Sequence, residues 1–206
     1  MNKNIIIIGA GGHTKNITDV IIKSRENIVG YLDDNKPIGC SVLSYPVIGT
    51  TDDSSKYLNC EFIIAIGDNY TREKMSNNML KKYPNLRFYT AIHPKAILGT
   101  DIKIGGGTNV MAGAIINAST KIGRHCIIGA GSIIAHDCIL DDFVQISPNA
   151  TLCGGVKIGK SSHIGASATI KQYIEICENS IIGIGAAVVK SITESGVYVG
   201  VPAKLK

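Results

Sequence analysis

The chain has 206 residues, of which 45% are hydrophobic, with no tryptophan and only three phenylalanines. A net charge of +5 without a basic run favours an anionic small molecule over DNA or RNA as the ligand. No apolar run reaches the roughly 18–20 residues that span a membrane, and the N-terminus lacks a signal peptide, so a cytoplasmic location is expected.

The first 91 residues predict a small α/β domain. Asn4 to Gly9 is a continuous apolar run that ends in glycine, which is typical of a buried parallel strand. The further predicted elements are a helix through Val20 and Ile22, strands over 27–32, 61–66 and near 86–91, and a helix over 70–82. This order predicts a short, Rossmann-like βαβαβ unit with a parallel sheet.

A glycine-rich turn, Gly9-Ala-Gly-Gly-His-Thr14, follows the first strand. Asp33 lies about 20 residues further on, where the ribose-binding acid of a dinucleotide fold would lie. The motif lacks its third glycine, and no domain suited to hydride transfer follows, which favours a mononucleotide site. There the turn would face an anionic or polar group, while Asp33 and Asp34 accept sugar or base hydrogen bonds. The alternatives are a purely structural glycine turn and a solvated acidic turn.

Residues 92–188 carry a strict period of six. Every sixth residue from Ile92 to Val188 is aliphatic, at all 17 positions, which neither a helix nor an ordinary strand produces. The fourth residue after each aliphatic is small or β-branched, and the first is often glycine, as expected where the chain turns a tight corner. The pattern predicts a parallel β-solenoid in which three hexads complete one coil.

The cysteines and histidines give no metal site. The six cysteines are scattered without a C-x-x-C pair, and Cys126 and Cys138 occupy inward hexad positions. They are interpreted as small buried hydrophobic residues in a reducing compartment. His125 and His163 are two coils apart and His136 is on another face, so no metal is expected within one chain; a site shared between subunits stays open.

His136 is the predicted catalytic residue. It lies two places after an inward aliphatic, so its side chain is expected to point outward near a corner. Asp137 follows directly and would orient one imidazole nitrogen, which leaves the other to accept a proton. Because adjacent side chains of a straight strand point in opposite directions, this contact requires a corner or a bulge. The alternative is an exposed histidine without a role.

Six motifs in chain order carry a resemblance to a known family. They are GAGGH (9–13), GYLDDN (30–35), AIGDN (65–69), AHDC (135–138), ISPNA (146–150) and YVGVPAK (198–204). The chain resembles the hexapeptide-repeat sugar acetyltransferases of the sialic acid O-acetyltransferase and bacillosamine-pathway types over essentially its whole length. The resemblance implies a left-handed parallel β-helix over 92–206, a nucleotide-sugar-binding domain over 1–91, acetyl-CoA as acyl donor, and a homotrimer with active sites at the seams.

The resemblance also assigns roles to residues. His136 matches the family's base and Asp137 the acidic residue that follows it. The implied nucleotide-sugar contacts are Gly11, Gly12, His13, Asp33 and Asp34. The implied acetyl-CoA contacts are Gln145, Gly154, Ala166 and Ile184, with the 200–204 segment near the coenzyme.

The expected function is acetyl transfer from acetyl-CoA to the amino group of a nucleotide-activated 4-amino sugar. His136 would remove the proton of the attacking amine, and backbone N–H groups at the corner would stabilise the oxyanion. O-acetylation of sialic acid or a related glycan precursor is the alternative. A non-catalytic trimeric scaffold and a metal-dependent hydratase are more distant. The expected partners are the sugar acceptor and two further copies of the chain, with no nucleic acid and no membrane.

Overall fold

The computed structural model describes residues 2–206, which form two compact units that divide between Pro94 and Lys95. This division lies just after the boundary expected from the start of the hexads. Within the described range, no helix is long and apolar enough to cross a membrane.

The N-terminal unit is an α/β sheet with two α-helices. Its elements are β1 (Asn4–Ile8), α1 (Gly12–Lys23), β2 (Asn27–Leu32), β3 (Ser41–Val42), β4 (Tyr45–Gly49), a 3-10 helix (Thr51–Tyr57), β5 (Glu61–Ile64), α2 (Asn69–Lys82) and β6 (Ala91–Ile92). The five-stranded sheet has the order β3-β4-β2-β1-β5. β1 is central and parallel to both neighbours, and its four isoleucines are fully buried, because a parallel strand is covered on both faces.

Two parts of this unit differ from the sequence prediction. The prediction of a strand near residues 86–91 is wrong: Phe88 forms an isolated bridge with Phe62 and no strand, and the next strand begins at Ala91. The short antiparallel pair β3–β4 was not predicted. It adds an edge to the parallel sheet through β4, which pairs with β2.

The C-terminal unit is a solenoid of short strands, mostly of two residues, in three sheets that are parallel except for the last strand, β24. Sheet I contains β7 (Ile97–Leu98), β10 (Ile115–Ile116), β13 (Ile133–Ile134), β16 (Thr151–Leu152), β19 (Thr169–Ile170) and β22 (Ala187–Val188). Sheet II contains β8 (Lys103–Ile104), β11 (Lys121–Ile122), β14 (Ile139–Leu140), β17 (Lys157–Ile158) and β20 (Glu175–Ile176). Sheet III contains β9 (Asn109–Val110), β12 (Ile127–Ile128), β15 (Gln145–Ile146), β18 (His163–Ile164), β21 (Ile181–Ile182), β23 (Val197–Val199) and, antiparallel to it, β24 (Lys204–Leu205).

The strand register confirms the coil of three hexads. Ile115 pairs with Ile133, and Ile133 with Thr151, so that each residue pairs with the one that follows it by three hexads. The inward aliphatic residues from Val110 onward are buried, and the fourth residue after them packs beside them. Cys126 and Cys138 are fully buried in this core, as predicted from their hexad position.

The corners differ from the prediction in which residue makes the turn. The left-handed backbone falls on the third residue after each inward aliphatic from Leu98 to Ile182, for example Asp137 (φ +60°) and Tyr173 (φ +58°), and not on the glycine directly after it. Glycine is required directly after the aliphatic residue because the backbone of the next coil approaches it closely. A Cβ there would lie 2.5–2.7 Å from backbone atoms of the next coil at Gly99, Gly105, Gly123, Gly129, Gly159 and Gly165.

Candidate functional site

A cavity of about 370 Å³ lies in the N-terminal unit, at the carboxyl ends of β1, β2 and β5. Parallel α/β sheets bind ligands at this edge, because the loops that follow neighbouring strands converge there. All five residues expected to contact the nucleotide sugar line this cavity, namely Gly11, Gly12, His13, Asp33 and Asp34.

The glycine turn has open space in front of it. A Cβ built on Gly11 or Gly12 would meet no atom within 4 Å, and neither residue has a left-handed backbone. The fold of the described chain therefore does not itself need glycine at these two positions. Gly12 begins α1, whose N-terminal N–H groups provide partial positive charge at the cavity.

The carboxylates of Asp33 and Asp34 accept most of their hydrogen bonds from backbone N–H groups. The Asp33 carboxylate accepts hydrogen bonds from the N–H groups of Ala10 (2.6 Å), Asn35 (2.8 Å) and Lys36 (3.0 Å). It thereby ties the glycine turn to the end of β2. Asp34 accepts from the N–H of Thr51 at 2.8 Å and from its hydroxyl at 2.9 Å. Both aspartates line the cavity, and their hydrogen bonds to the backbone hold together the loops that form its wall.

His13 is a neutral group in this wall. Burial, and secondly the positive charge of Arg72, lowers the pKa of His13 to about 4. Its Nε2 is buried and has no hydrogen-bond partner within residues 2–206. Arg72 is itself fully buried and donates to the carbonyls of Ile66 (3.1 Å) and Gly67 (2.8 Å) at the end of β5. Arg72 is not predicted as a site residue from the sequence, because its helical position gives no signal of its burial.

His136 and Asp137 form a pair on the solenoid surface. The Nδ1 of His136 lies 2.7 Å from Oδ2 of Asp137, and the side chains are 59% and 65% exposed. The left-handed backbone of Asp137 supplies the corner that this contact requires between neighbouring residues. With Nδ1 occupied by the carboxylate, Nε2 is the nitrogen available for a proton from a substrate.

The rings of His136 and Tyr173 lie over two glycines at this corner, which joins sheet I to sheet II. Gly154 and Gly155 follow one coil after His136 and Asp137, and the His136 ring lies against Gly154. The ring of Tyr173 lies against Gly155, since a Cβ there would be 2.6 Å from the Cδ1 of Tyr173. Tyr173 is 74% exposed. Gly155 and Tyr173 are not among the predicted site residues, although both lie at multiples of one coil from Asp137 along this corner.

The four residues expected to contact acetyl-CoA are divided between two edges of the solenoid. Gly154 shares the corner of His136, between sheets I and II. Ala166 and the 83% exposed Ile184 are one coil apart at the corner between sheets III and I, and Gln145 lies on sheet III. One chain therefore brings only Gly154 to His136. In residues 2–206 no group of three or more His, Cys, Asp or Glu side chains is placed to hold a metal ion.

Comparisons with known proteins match both units. Residues 4–79 match the PglD N-terminal domain family, and residues 101–136 and 137–172 match the bacterial transferase hexapeptide family. The GDP-perosamine N-acetyltransferase of Escherichia coli is 29% identical over 175 residues, which are 82% of this chain and 78% of that protein.

Solved structures match over the whole length. The acetyltransferase domain of PglB from Neisseria gonorrhoeae is 32% identical, with full coverage of both chains and a TM-score of 0.92, and it has also been solved with acetyl coenzyme A. A perosamine N-acetyltransferase variant from Caulobacter crescentus, solved with CoA and GDP-perosamine, is 31% identical, with 98% and 96% coverage and a TM-score of 0.93. Both matches confirm the predicted fold class, an α/β domain followed by a left-handed parallel β-helix. The chain therefore belongs to the hexapeptide-repeat acyltransferase family that contains the PglB acetyltransferase domain and perosamine N-acetyltransferase.

Proposed function

We propose that this enzyme transfers the acetyl group of acetyl-CoA to the amino group of a nucleotide-activated 4-amino sugar, with His136 as general base. The observation that carries the proposal is the exposed His136–Asp137 pair, with its 2.7 Å contact. The relatives support the class of substrate, because structures of the Caulobacter enzyme hold CoA together with GDP-perosamine. That enzyme has also been solved with one histidine replaced by asparagine or alanine.

The proposed chemistry needs one base and one oxyanion site. The sugar amine attacks the thioester carbonyl, and Nε2 of His136 accepts the amine proton as the C–N bond forms. Asp137 stabilises the imidazolium through Nδ1. When the intermediate collapses, the C–S bond breaks and the proton returns to the departing thiolate. The N–H of Gly154 makes no hydrogen bond within residues 2–206 and lies at the same corner, so it is available to the oxyanion.

The nucleotide moiety is proposed to bind in the cavity of the N-terminal unit. Support comes from the open space in front of Gly11 and Gly12 and from the N-terminus of α1, which together suit a phosphate group close to the backbone. The neutral His13 offers a hydrogen bond without adding charge. Asp33 and Asp34 are proposed to accept hydrogen bonds from the ligand in addition to those from the chain, since each carboxylate has about four lone-pair sites.

A homotrimer is proposed for the assembly. The expected acetyl-CoA contacts lie on two edges of one solenoid, so one coenzyme meets both sets only if neighbouring chains share it. Outward side chains of sheet I include the exposed Ile97 and Ile133, whereas sheet II presents Lys103, Lys121 and Lys157. An apolar face suits burial between copies, and a charged face suits solvent. Sedimentation equilibrium measures this directly, and a monomeric mass contradicts it.

The test of the proposed function is release of the CoA thiol from acetyl-CoA with a panel of acceptors. The panel contains UDP-, dTDP- and GDP-linked 4-amino sugars and free sialic acid. Turnover with a nucleotide amino sugar, and an N-acetylated product by mass spectrometry, is expected. Turnover only with sialic acid overturns N-acetylation in favour of O-acetylation, and no turnover with any acceptor contradicts the substrate class.

Replacing Gly12 with alanine is expected to weaken nucleotide-sugar binding without harming the fold. The new Cβ meets no protein atom, and alanine at the start of a helix stabilises it by up to about 1 kcal/mol relative to glycine. The same methyl group enters the space proposed for the phosphates. The KM for the nucleotide sugar should rise about tenfold or more, which corresponds to about 1.4 kcal/mol.

The KM for acetyl-CoA is the internal control for this variant and should not change. Steady-state kinetics with each substrate varied in turn, together with thermal unfolding, make the measurement. An unchanged KM for the nucleotide sugar in a stably folded Gly12→Ala protein would remove the glycine turn from the binding site.

A further inference from the structure

The imidazole of His136 occupies the space that a side chain at position 154 would fill. A Cβ built on Gly154 would lie 2.7 Å from both Cε1 and Nε2 of His136, closer than real Cβ atoms approach other heavy atoms. The backbones of the two coils are joined beside this contact, because the N–H of Gly155 donates to the carbonyl of His136 at 2.9 Å. If a side chain were present at 154, the ring would therefore have to move.

Two contacts together define the orientation of this exposed ring. Asp137 holds Nδ1 at 2.7 Å, and the Cε1–Nε2 edge of the ring occupies the space that a side chain of residue 154 would fill. The side chain is 59% exposed, so general packing does little to fix it. An orienting group matters here, because misplacing a reacting group by about 1 Å can cost about 100-fold in rate.

We propose that Gly154 is a positioning residue for His136: its missing side chain leaves the space in which the imidazole is held against Asp137. This inference rests on the proposed function, in which His136 is the base. It differs from the contact to acetyl-CoA that the family resemblance implies and from the oxyanion donor proposed above, and the three roles predict different kinetics. A positioning residue changes kcat only through His136. A coenzyme contact changes the KM for acetyl-CoA, and an oxyanion donor changes kcat, whether or not His136 is present.

Gly154→Ala tests the proposal, because alanine retains the backbone N–H and adds only the Cβ. The backbone of Gly154 is not left-handed, so alanine brings no backbone strain. We expect kcat to fall about 10- to 100-fold, with the KM for acetyl-CoA changed less than about twofold. In the His136→Ala background the ring is gone, so adding Gly154→Ala should change kcat no further, since residues that act as one unit are not additive.

Gly196→Ala is the matched control. A Cβ there would lie 2.5 Å from Leu205 Cδ1, the end of another flexible side chain, at a position outside the proposed site. It should leave kcat unchanged. Full kcat in Gly154→Ala overturns the proposal, and so does an equal further loss in the His136→Ala background.

The imidazole NMR signals of His136 separate this proposal from the proposed function. If His136→Ala keeps full turnover, His136 is not the base and the proposed function fails. The His136 resonances in Gly154→Ala still report on the contact, because they shift if the new Cβ displaces the ring. Unchanged resonances overturn the positioning role whatever the activity.

Discussion

Replacement of His136 with alanine is expected to lower kcat by about 10²- to 10⁴-fold, the usual contribution of a positioned general base. The fold should survive, because the side chain is 59% exposed and its hydrogen bond within residues 2–206 is to Asp137, which is itself 65% exposed. The KM for acetyl-CoA should change little. Thiol release under saturating substrates measures kcat, and thermal unfolding confirms that the variant is folded.

Asp137→Asn is the graded control for this prediction. It keeps the size of the side chain but removes the charge that stabilises the imidazolium at Nδ1. Its loss should be smaller than that of His136→Ala, because the proposed base, His136, remains. Near-normal kcat in His136→Ala, or a larger loss in Asp137→Asn than in His136→Ala, would contradict the assignment of His136 as the base.

The solenoid is predictable from sequence because its repeat is strict. One inward aliphatic in every hexad fixes the strands, and three hexads per coil fix the register, as Ile115 and Ile133 illustrate. The residue that makes each corner is less predictable. Left-handed backbone falls even on the bulky aromatic residues Phe143 and Tyr173, which do not favour it intrinsically. There the coil geometry overrides local preference, and the glycines that stand out in the sequence serve close approach between coils.

The N-terminal unit is predictable where strands are long and apolar, and less so elsewhere. The buried run of β1 is unambiguous. The segment before Ala91 has the composition of a strand, but it hydrogen-bonds with the edge of the sheet only around Phe62. The β3–β4 pair contains Pro46, which weakens a strand signal. Whether these two segments form strands depends on pairing with residues distant in the sequence, and no local sequence pattern encodes that pairing.

The candidate site is also only partly predictable from the sequence. The clustering of the glycine turn with Asp33 and Asp34 follows from parallel topology, because the strand ends meet at one edge. The three N–H groups that Asp33 accepts from the backbone do not follow from any motif. The contact of His136 with Gly154 is accessible from the sequence only after the coil length is known, since one full coil separates the two.

Truncation of one inward aliphatic is expected to be costly even in this narrow core. Leu140 in β14 is 2% exposed and stacks between Ile122 and Ile158 of the neighbouring coils. Leu140→Ala should lower the free energy of unfolding by about 2–5 kcal/mol, from lost burial and the cavity left behind. Each coil contacts only its neighbours, so a defect in a middle coil weakens the stacking on both sides.

Ile139 is the matched control, because it is the adjacent residue of the same strand and points to the opposite face. Its side chain is 37% exposed among the lysines of sheet II, so Ile139→Ala should cost about 0.5 kcal/mol. Urea unfolding of the two variants under identical conditions makes the comparison. Equal losses would mean that sheet II is buried against another chain, whereas the expected difference means that the core lies inside the coil and sheet II faces solvent.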